Sequence, residues 1–131
     1  MEKDALTVEQ YKNVISEMSR LNDKVALALL LQATFQLRLR DVLNMKLNNF
    51  VDMGTVCHLY IKEQKTSVKR DIIISYDIYE RVIEYAIMNR RPANEVLIDI
   101  SMEQIHKYLV QVCRILKYPV IYAYQFRSLK I

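Results

Sequence analysis

The sequence changes from a helical pattern to a strand pattern within one stretch, Phe35-Gln-Leu-Arg-Leu-Arg-Asp-Val-Leu-Asn-Met-Lys-Leu-Asn-Asn-Phe50. This change is the main evidence for the fold class. Apolar side chains recur in this stretch at helical spacing and predict a short helix from about Arg38 to Lys46. Asn48-Asn49 ends this helix. Phe50-Val51 is then a candidate for a short strand.

Two further helices are predicted on the N-terminal side of this stretch. Thr7-Val-Glu-Gln10 has the pattern of a capping box and opens a first helix that runs to about Arg20. Asn22 or Asp23 caps a second helix, from Lys24 to about Phe35. That helix is apolar nearly all round, as expected of a central core helix.

A hairpin is predicted on the C-terminal side. Val56-Cys-His-Leu-Tyr-Ile61 and Asp71-Ile-Ile-Ile-Ser75 are rich in β-branched and aromatic residues, which favour strands. Asp52-Met-Gly-Thr55 is a turn signal before them. The segment Lys62–Arg70 between the two strands is polar and basic, so the tip of the hairpin carries cations.

Helices return after the hairpin. One is predicted over about Asp77–Asn89, and Pro92 bars its continuation. Ser101-Met-Glu-Gln104 is a second capping box and opens a helix to about Leu116. The last piece, Gln125–Ile131, has room for about two helical turns. The predicted fold class is therefore mainly α with a small antiparallel β-hairpin or sheet, an α+β domain.

Composition limits the classes of protein that fit. The chain has 131 residues and a mass of 15.6 kDa. Of its residues, 52% are hydrophobic and 26% are charged. This is ordinary for one globular domain and excludes disorder as the main state. The single glycine, Gly54, excludes a Gly-rich phosphate loop. The longest apolar run, Val25–Leu31, is far too short for a membrane span, and the N-terminus has no signal-peptide pattern.

Cysteine and histidine usage indicates no cofactor. Cys57 and Cys113 make no disulfide framework, which favours a reduced, cytoplasmic setting. His58 and His106 have no partners at the spacing of metal ligands, and a structural zinc site needs four ligands. We therefore predict no metal and no small-molecule cofactor.

Positive charge is concentrated in two places. The formal net charge is +4 and the pI is about 9.1. The span Gln104–Ile131 contains no Asp or Glu, and a second cluster lies at the hairpin tip, broken only by Glu63. Such clusters are solvated faces in many proteins, and they also suit nucleic acid. The basic residues concerned are Lys62, Lys65, Lys69, Arg70, Lys107, Arg114, Lys117, Arg127 and Lys130.

The stretch quoted first resembles the first signature of the tyrosine recombinase (phage integrase) family. There the family reads roughly Thr-Gly-x-Arg-x-Ser-Glu-Leu-x-x-Leu-x-x-x-Asp-Ile. Arg38 stands at its first catalytic arginine and Asp41 at the acidic residue three positions later. Asn49-Phe50 stands for its Asp-Ile.

Four other segments match the family in the same order. Lys65-Thr66 matches the Lys-Thr of the hairpin that carries the catalytic lysine, and Tyr124-Gln-Phe-Arg127 matches His-x-Leu-Arg, with Arg127 at the second catalytic arginine. Leu6-Thr7-Val-Glu9 is similar to the Leu-Thr-x-Glu that opens these catalytic domains, and Val96-Leu-Ile98 matches the stretch before the second signature. The resemblance covers nearly the whole chain, although no single segment is decisive.

The resemblance implies how the chain would treat DNA. In this family a tyrosine attacks a backbone phosphate while two arginines clamp its oxygens, and a hairpin lysine protonates the leaving oxygen. It assigns these vestigial catalytic positions to Arg38, Lys65, Arg127 and Tyr124. The implied DNA-binding residues are Arg38, Lys62, Lys65, Lys69, Arg70, Arg127 and Lys130. Read alone, Arg38 is an ordinary helix-start arginine with Asp41 as a candidate partner, Lys65 is a solvated turn, and Arg127 is a frayed end.

Three departures from the family pattern are visible. Phe35-Gln36 replaces Thr-Gly, so we expect a different turn there. Tyr124 replaces the usual histidine, and a phenol is a poor base near neutral pH. The sequence also stops four residues after Arg127. We therefore expect residues 1–131 to form a single truncated integrase-like catalytic domain. It would lack the N-terminal core-binding domain, the His or Trp box and the nucleophilic tyrosine.

Three functions remain open at this stage. The first is a protein that binds double-stranded DNA without cleaving it, in a regulatory or accessory role in recombination or integration, for example on a mobile element. The second is a fragment of an active site-specific integrase. The third is a protein-interaction module that forms a homodimer or joins a partner recombinase, without binding DNA. A nucleophile supplied by a partner chain is compatible with the first.

Overall fold

The computed structural model describes residues 5–129 and contains mainly helices with one small sheet. The helices are α1 (Val8–Leu21), α2 (Asp23–Phe35), α3 (Leu39–Leu43), α4 (Tyr76–Met88), α5 (Met102–Leu116) and α6 (Tyr124–Arg127). The strands are β1 (Phe50–Asp52), β2 (Cys57–Lys62) and β3 (Lys69–Ile74). The predicted fold class, mainly α with a small antiparallel sheet, is confirmed.

The chain forms two compact units. The first comprises Met1–Val42 with Asp99–Ile131 and holds α1, α2, α5 and α6, and we call it the helical unit. The second comprises Leu43–Ile98 and holds the sheet and α4, and we call it the sheet unit. In the described part of the chain, no helix combines the length and the apolar character that a membrane crossing requires.

The helical unit is built around α2. This helix is buried on nearly every side, as its apolar composition predicted, and α1 and α6 pack against it. Both predicted capping boxes are present. The Thr7 Oγ1 accepts from the Gln10 N–H at 3.0 Å and the Gln10 Oε1 accepts from the Thr7 N–H at 3.0 Å. Ser101 and Gln104 make the same pair of bonds at the start of α5, at 3.1 and 3.2 Å.

The sheet unit is a three-stranded antiparallel sheet in the order β1-β2-β3. Leu59, in the middle of β2, lies opposite Phe50 of β1 and Ile72 of β3. Ser75 follows β3 directly and caps α4, because its Oγ accepts from the Ile78 N–H at 3.3 Å. The candidate strand at Phe50-Val51 is confirmed as β1.

The predicted helix over Arg38–Lys46 is wrong in its extent. The helix ends at Leu43, because the next residues use their backbone groups elsewhere. The Met45 carbonyl accepts from the Leu97 N–H at 2.8 Å, and Lys46 forms a bridge with Val96. A short 3-10 turn, Leu47–Asn49, then leads into β1. Pairing with a segment 50 residues away overrides the local helical pattern.

The other boundaries differ by smaller amounts. The second strand starts at Cys57 rather than Val56, and the third occupies Lys69–Ile74 rather than Asp71–Ser75. The hairpin loop is therefore shorter than the predicted Lys62–Arg70. The final helix covers Tyr124–Arg127 instead of Gln125–Ile131, of which residues 130 and 131 lie outside the described chain.

Candidate nucleic-acid interface

Arg38 lies in a tight connection between α2 and α3. After Phe35, the backbone of Gln36 is left-handed (φ 54°, ψ 48°), and the N–H groups of Gln36 and Leu37 both donate to the Gln32 carbonyl. Leu37 is 1% exposed and anchors the connection. The Arg38 carbonyl then accepts from N–H groups three and four residues further on, at 3.0 Å from Asp41 and 3.2 Å from Val42.

The expectation that this turn differs from the family's, because Gln36 stands where the family has glycine, stays a prediction. Gln36 takes the left-handed conformation that glycine adopts at little steric cost. Arg38 is half-buried, and its Nη1 atom is fully removed from solvent. Asp41 is 5% exposed, and its pairing with Arg38 stays a prediction.

Arg127 lies on a short helix that is docked into the core. Phe126 is fully buried, and its ring meets that of Tyr11 edge to face, with 6.0 Å between centroids. Leu129 is also buried. The interpretation of Arg127 as part of a frayed terminus is therefore wrong, since buried side chains flank it on both sides.

The segments that carry Arg38 and Arg127 come together within the helical unit. The Gln36 Nε2 donates to the Leu129 carbonyl at 3.4 Å, although 93 residues separate the two. Gln36 lies two residues before Arg38, and Leu129 lies two residues after Arg127. Packing of α6 against α2 supports the same approach. The fold thus brings together the backbone segments that carry the two arginines.

Tyr124 starts α6, one helical turn before Arg127, so the two side chains project from the same side of the helix. Tyr124 is 65% exposed. Its ring stacks on that of Tyr122, with 6.0 Å between centroids and 13° between planes. From the sequence, tyrosines in this basic region are candidates for base stacking or are core or rim residues, and the exposure of these two excludes only the core.

The hairpin tip is ordered by its own backbone. The Glu63 N–H donates to the Val68 carbonyl and the Glu63 carbonyl accepts from the Ser67 N–H, both at 2.8 Å. Ser67 takes a left-handed conformation (φ 59°) that closes the loop. Lys65 lies exposed in the middle of this loop.

The lysines of the hairpin repel one another. Lys62 lies directly opposite Lys69 in the pairing of β2 with β3, and both are exposed, as is Lys65. Like charges directly opposite each other on neighbouring strands are destabilising. An anion between them would relieve this repulsion.

Arg70 differs from the three lysines. Its Nη1 lies 3.4 Å from the Glu63 Oε2, and the Glu63 side chain is only 13% exposed. The Thr66 hydroxyl donates to the other oxygen of Glu63 at 3.1 Å. Sequence reasoning gave Arg70 the same weight as the lysines, but its charge is offset by Glu63, which also braces the loop.

The remaining candidates are placed as follows. Lys130 lies outside the described residues. Lys62, Lys65, Lys69 and Arg70 belong to the sheet unit, whereas Arg38, Tyr124 and Arg127 belong to the helical unit.

Histidine and cysteine side chains have structural contacts. The His58 Nδ1 lies 2.6 Å from the Asp71 Oδ1, and the His106 ring stacks on Tyr122. Cys57 and Cys113 are buried free thiols, and burial raises the pKa of each. Across residues 5–129, no three His, Cys, Asp or Glu side chains are grouped so as to hold a metal ion.

Comparison with solved structures identifies the fold. The XerH site-specific recombinase bound to its difH substrate, in a pre-cleavage complex, superposes with a TM-score of 0.75 at 13% identity over 95% of this chain and 41% of that chain. A lambda integrase dimer bound to a COC′ core site gives 0.75 at 20% identity, over 95% of this chain and 38% of that chain. The lambda integrase catalytic core gives 0.75 at 18% identity, over 95% and 78%.

The chain therefore has the catalytic-core fold of the tyrosine recombinases. It spans about two fifths of the length of the two DNA-bound recombinase chains. No protein-family model matches the sequence, and no curated protein matches it.

Proposed function

We propose that this chain is a DNA-binding protein of the tyrosine recombinase family. In this proposal Arg38 and Arg127 hold one backbone phosphate of double-stranded DNA, and the hairpin with Lys62, Lys65 and Lys69 also binds backbone phosphates. The segment binds DNA without cutting it unaided, and its role in recombination or integration is regulatory or accessory, as on a mobile element. It would act in the cytoplasm.

The observation that carries the proposal is the approach of two distant segments. The hydrogen bond from Gln36 to Leu129 and the burial of Phe126 support a site at which both arginines serve one ligand. A guanidinium is planar and matches the oxygens of a phosphate with two parallel hydrogen bonds. Two such groups on unrelated parts of the chain suit a phosphate better than a single solvated arginine would.

The hairpin supports the same ligand by a different argument. Three exposed lysines share one loop and its flanking strand ends, and two of them face each other. Their repulsion falls when a polyanion binds, so part of the affinity comes from relief of an unfavourable contact. Binding of this kind weakens steeply with salt, because neutralised phosphates release their counterions.

The proposal that DNA is not cut unaided rests on Tyr124. A histidine at this place could act as a general base, whereas a phenol is a poor one. Cleavage would also require a nucleophile. Lambda integrase binds a COC′ core site as a dimer. We propose a comparable association, with a second copy or a partner recombinase, as the source of such a group.

Binding to a short labelled duplex, followed by fluorescence polarisation over a salt series, tests the proposal. We expect affinity to fall as salt rises. Arg38→Ala/Arg127→Ala should weaken binding about 10- to 100-fold and lower the slope of log K against log salt by about 2, because two phosphate contacts are lost.

Two controls separate geometry from charge. Arg38→Lys/Arg127→Lys keeps both charges and loses the planar forks, so it should remain weaker than the wild type. Arg20→Ala/Arg90→Ala removes the same charge from exposed positions elsewhere and should bind nearly as the wild type does. Equal loss in both alanine pairs would contradict a phosphate site at Arg38 and Arg127. No binding even at low salt would overturn the proposal and favour a protein-interaction module.

A further inference from the structure

Three aromatic rings form a parallel stack on the helical unit. The His106 ring on α5 lies on the Tyr122 ring, with 5.5 Å between centroids and 8° between planes. Tyr122 in turn stacks on Tyr124 at 6.0 Å and 13°. We call these three side chains the ring stack. Two successive near-parallel steps across α5, a loop and α6 hold the rings in one orientation.

The ring stack is open to solvent. Tyr124 is 65% exposed and Tyr122 is 46% exposed, and His106 is exposed as well. Aromatic rings that only stabilise the fold bury most of their surface, because burial is what makes them stabilising. An exposed, parallel set of rings leaves apolar faces ready for another planar group.

A cavity adjoins the stack. It has a volume of about 210 Å³ and is lined by Tyr122 and Tyr124 together with the amide side chains of Gln10 and Gln125. The Gln10 Oε1 accepts from the Thr7 N–H, and the Gln125 Oε1 accepts from the Tyr122 N–H at 2.7 Å, so both amides are held in place near the rings. Aromatic rings together with polar amides suit a flat heterocycle that carries hydrogen-bonding groups at its edge.

The charge around the stack favours an anionic ligand. No Asp or Glu occurs from Gln104 to Ile131, whereas Lys107 follows His106 directly and Arg127 lies one turn after Tyr124. Among residues 5–129, none that lines the cavity is acidic. A planar ring attached to a phosphate backbone satisfies both the rings and the cations.

We propose that the ring stack and its cavity bind an unpaired nucleobase of a DNA strand. This rests on the proposed function, since the base would belong to the strand whose phosphate lies at Arg38 and Arg127. A base paired inside a duplex has no free face, so the site selects a bulged, flipped or single-stranded nucleotide. Stacking on tyrosine accepts any base, because every base has a π-face.

The test compares two duplexes of one sequence, one fully paired and one with a single bulged 2-aminopurine, a fluorescent adenine analogue. Polarisation gives both affinities, and stacking quenches the 2-aminopurine fluorescence. We expect the wild type to prefer the bulged duplex about 5- to 150-fold and to quench its fluorescence.

Three variants identify the ring responsible. Tyr124→Ala should remove most of the preference and the quenching. Tyr124→Phe keeps the ring and should behave as the wild type does. Tyr60→Ala is a matched control, because Tyr60 is 41% exposed and stacks on His58 in the sheet unit at 5.5 Å and 8°. It should keep the preference.

The outcomes for the two proposals differ. Binding of the paired duplex without preference for the bulge would overturn the ring-stack proposal and leave the proposed function standing. A preference that survives Tyr124→Ala would overturn it too. Binding of the bulged duplex alone, lost in Tyr124→Ala, would support the ring stack and contradict the duplex-binding function. Binding of neither duplex would overturn both.

Discussion

The arginines of the helical unit and the lysines of the sheet unit carry the same charge in opposite settings. Arg38 and Arg127 are half-buried, and the residues beside them, Leu37 and Phe126, are among the most buried of the described chain. Lys65 lies at the tip of a hairpin whose loop is braced by Glu63.

Because of this difference, the arginines and the lysines should contribute differently to binding a phosphate. Buried neighbours hold an arginine's backbone in place, so its fork keeps one direction and can serve a specific oxygen. Exposed lysines keep most of their rotamers, so they contribute charge at many positions and little direction. Loss of an arginine should therefore remove directed hydrogen bonds to a phosphate. Loss of a lysine should reduce only the electrostatic attraction to it.

The largest effect should come from removing the anchor beside Arg127. Phe126→Ala leaves a cavity under α6 and should lower the free energy of unfolding by about 3–5 kcal/mol, measured by urea titration. Tyr124→Ala on the same helix is the control and should cost under about 1 kcal/mol, because that side chain is exposed. Equal losses would show that α6 is not held by Phe126.

Charge reversal at the hairpin should separate stability from binding. Lys69→Glu places opposite charges across the β2–β3 pair and should raise the free energy of unfolding by about 0.2–1 kcal/mol. The same variant should weaken duplex binding about 3- to 10-fold. Lys12→Glu makes the same charge change at an exposed position of α1 and should alter neither the stability nor the duplex binding. Reduced stability in Lys69→Glu would refute repulsion between Lys62 and Lys69.

Substitutions at two residues with left-handed backbones test how much the hydrogen bond between Gln36 and Leu129 contributes to stability. Lys117, at the end of α5, has φ 60°, so Lys117→Gly should stabilise the fold by about 1 kcal/mol. Gln36→Gly relieves the same strain and also removes the bond to Leu129, so its gain in unfolding free energy should be smaller. A gain as large as that of Lys117→Gly would show that this bond contributes nothing.

The smallest expected effect is a change of stability with pH that arises from Tyr76 and Asp52 in the sheet unit. The Tyr76 hydroxyl donates to the Asp52 Oδ1 at 2.9 Å, and this bond, with burial and the Asp52 charge, raises the pKa of Tyr76 to about 12. The folded state thus holds this proton more tightly than the unfolded chain, whose tyrosines titrate near 10.

This contribution to stability is complete below about pH 10 and is lost as pH rises toward about 12. Thermal unfolding should therefore show a steeper fall in Tm over this range for the wild type than for Tyr76→Phe. Parallel curves would rule out a role for the Asp52 bond.

The fold class could be predicted from the sequence, and the features that were missed have physical causes. The resemblance to the tyrosine recombinases singled out Arg38, Lys65 and Arg127, and their role in binding a phosphate stays a prediction. The ion pair of Arg70 with Glu63 was missed, although both lie in the predicted basic segment, because the pairing depends on how the loop closes. The ring stack was missed because His106 and Tyr122 meet only when α5 and the following loop pack together.

Structural features that depend on residues no more than four positions apart follow from the sequence alone. Both capping boxes, the caps of the helices and the apolar character of α2 follow from neighbouring residues, since their bonds close within one helical turn. The tertiary structure alone decided the end of α3, where Met45 pairs with Leu97, and the approach of Gln36 to Leu129. Contacts between distant segments depend on which surfaces bury together, and a local pattern holds no record of that.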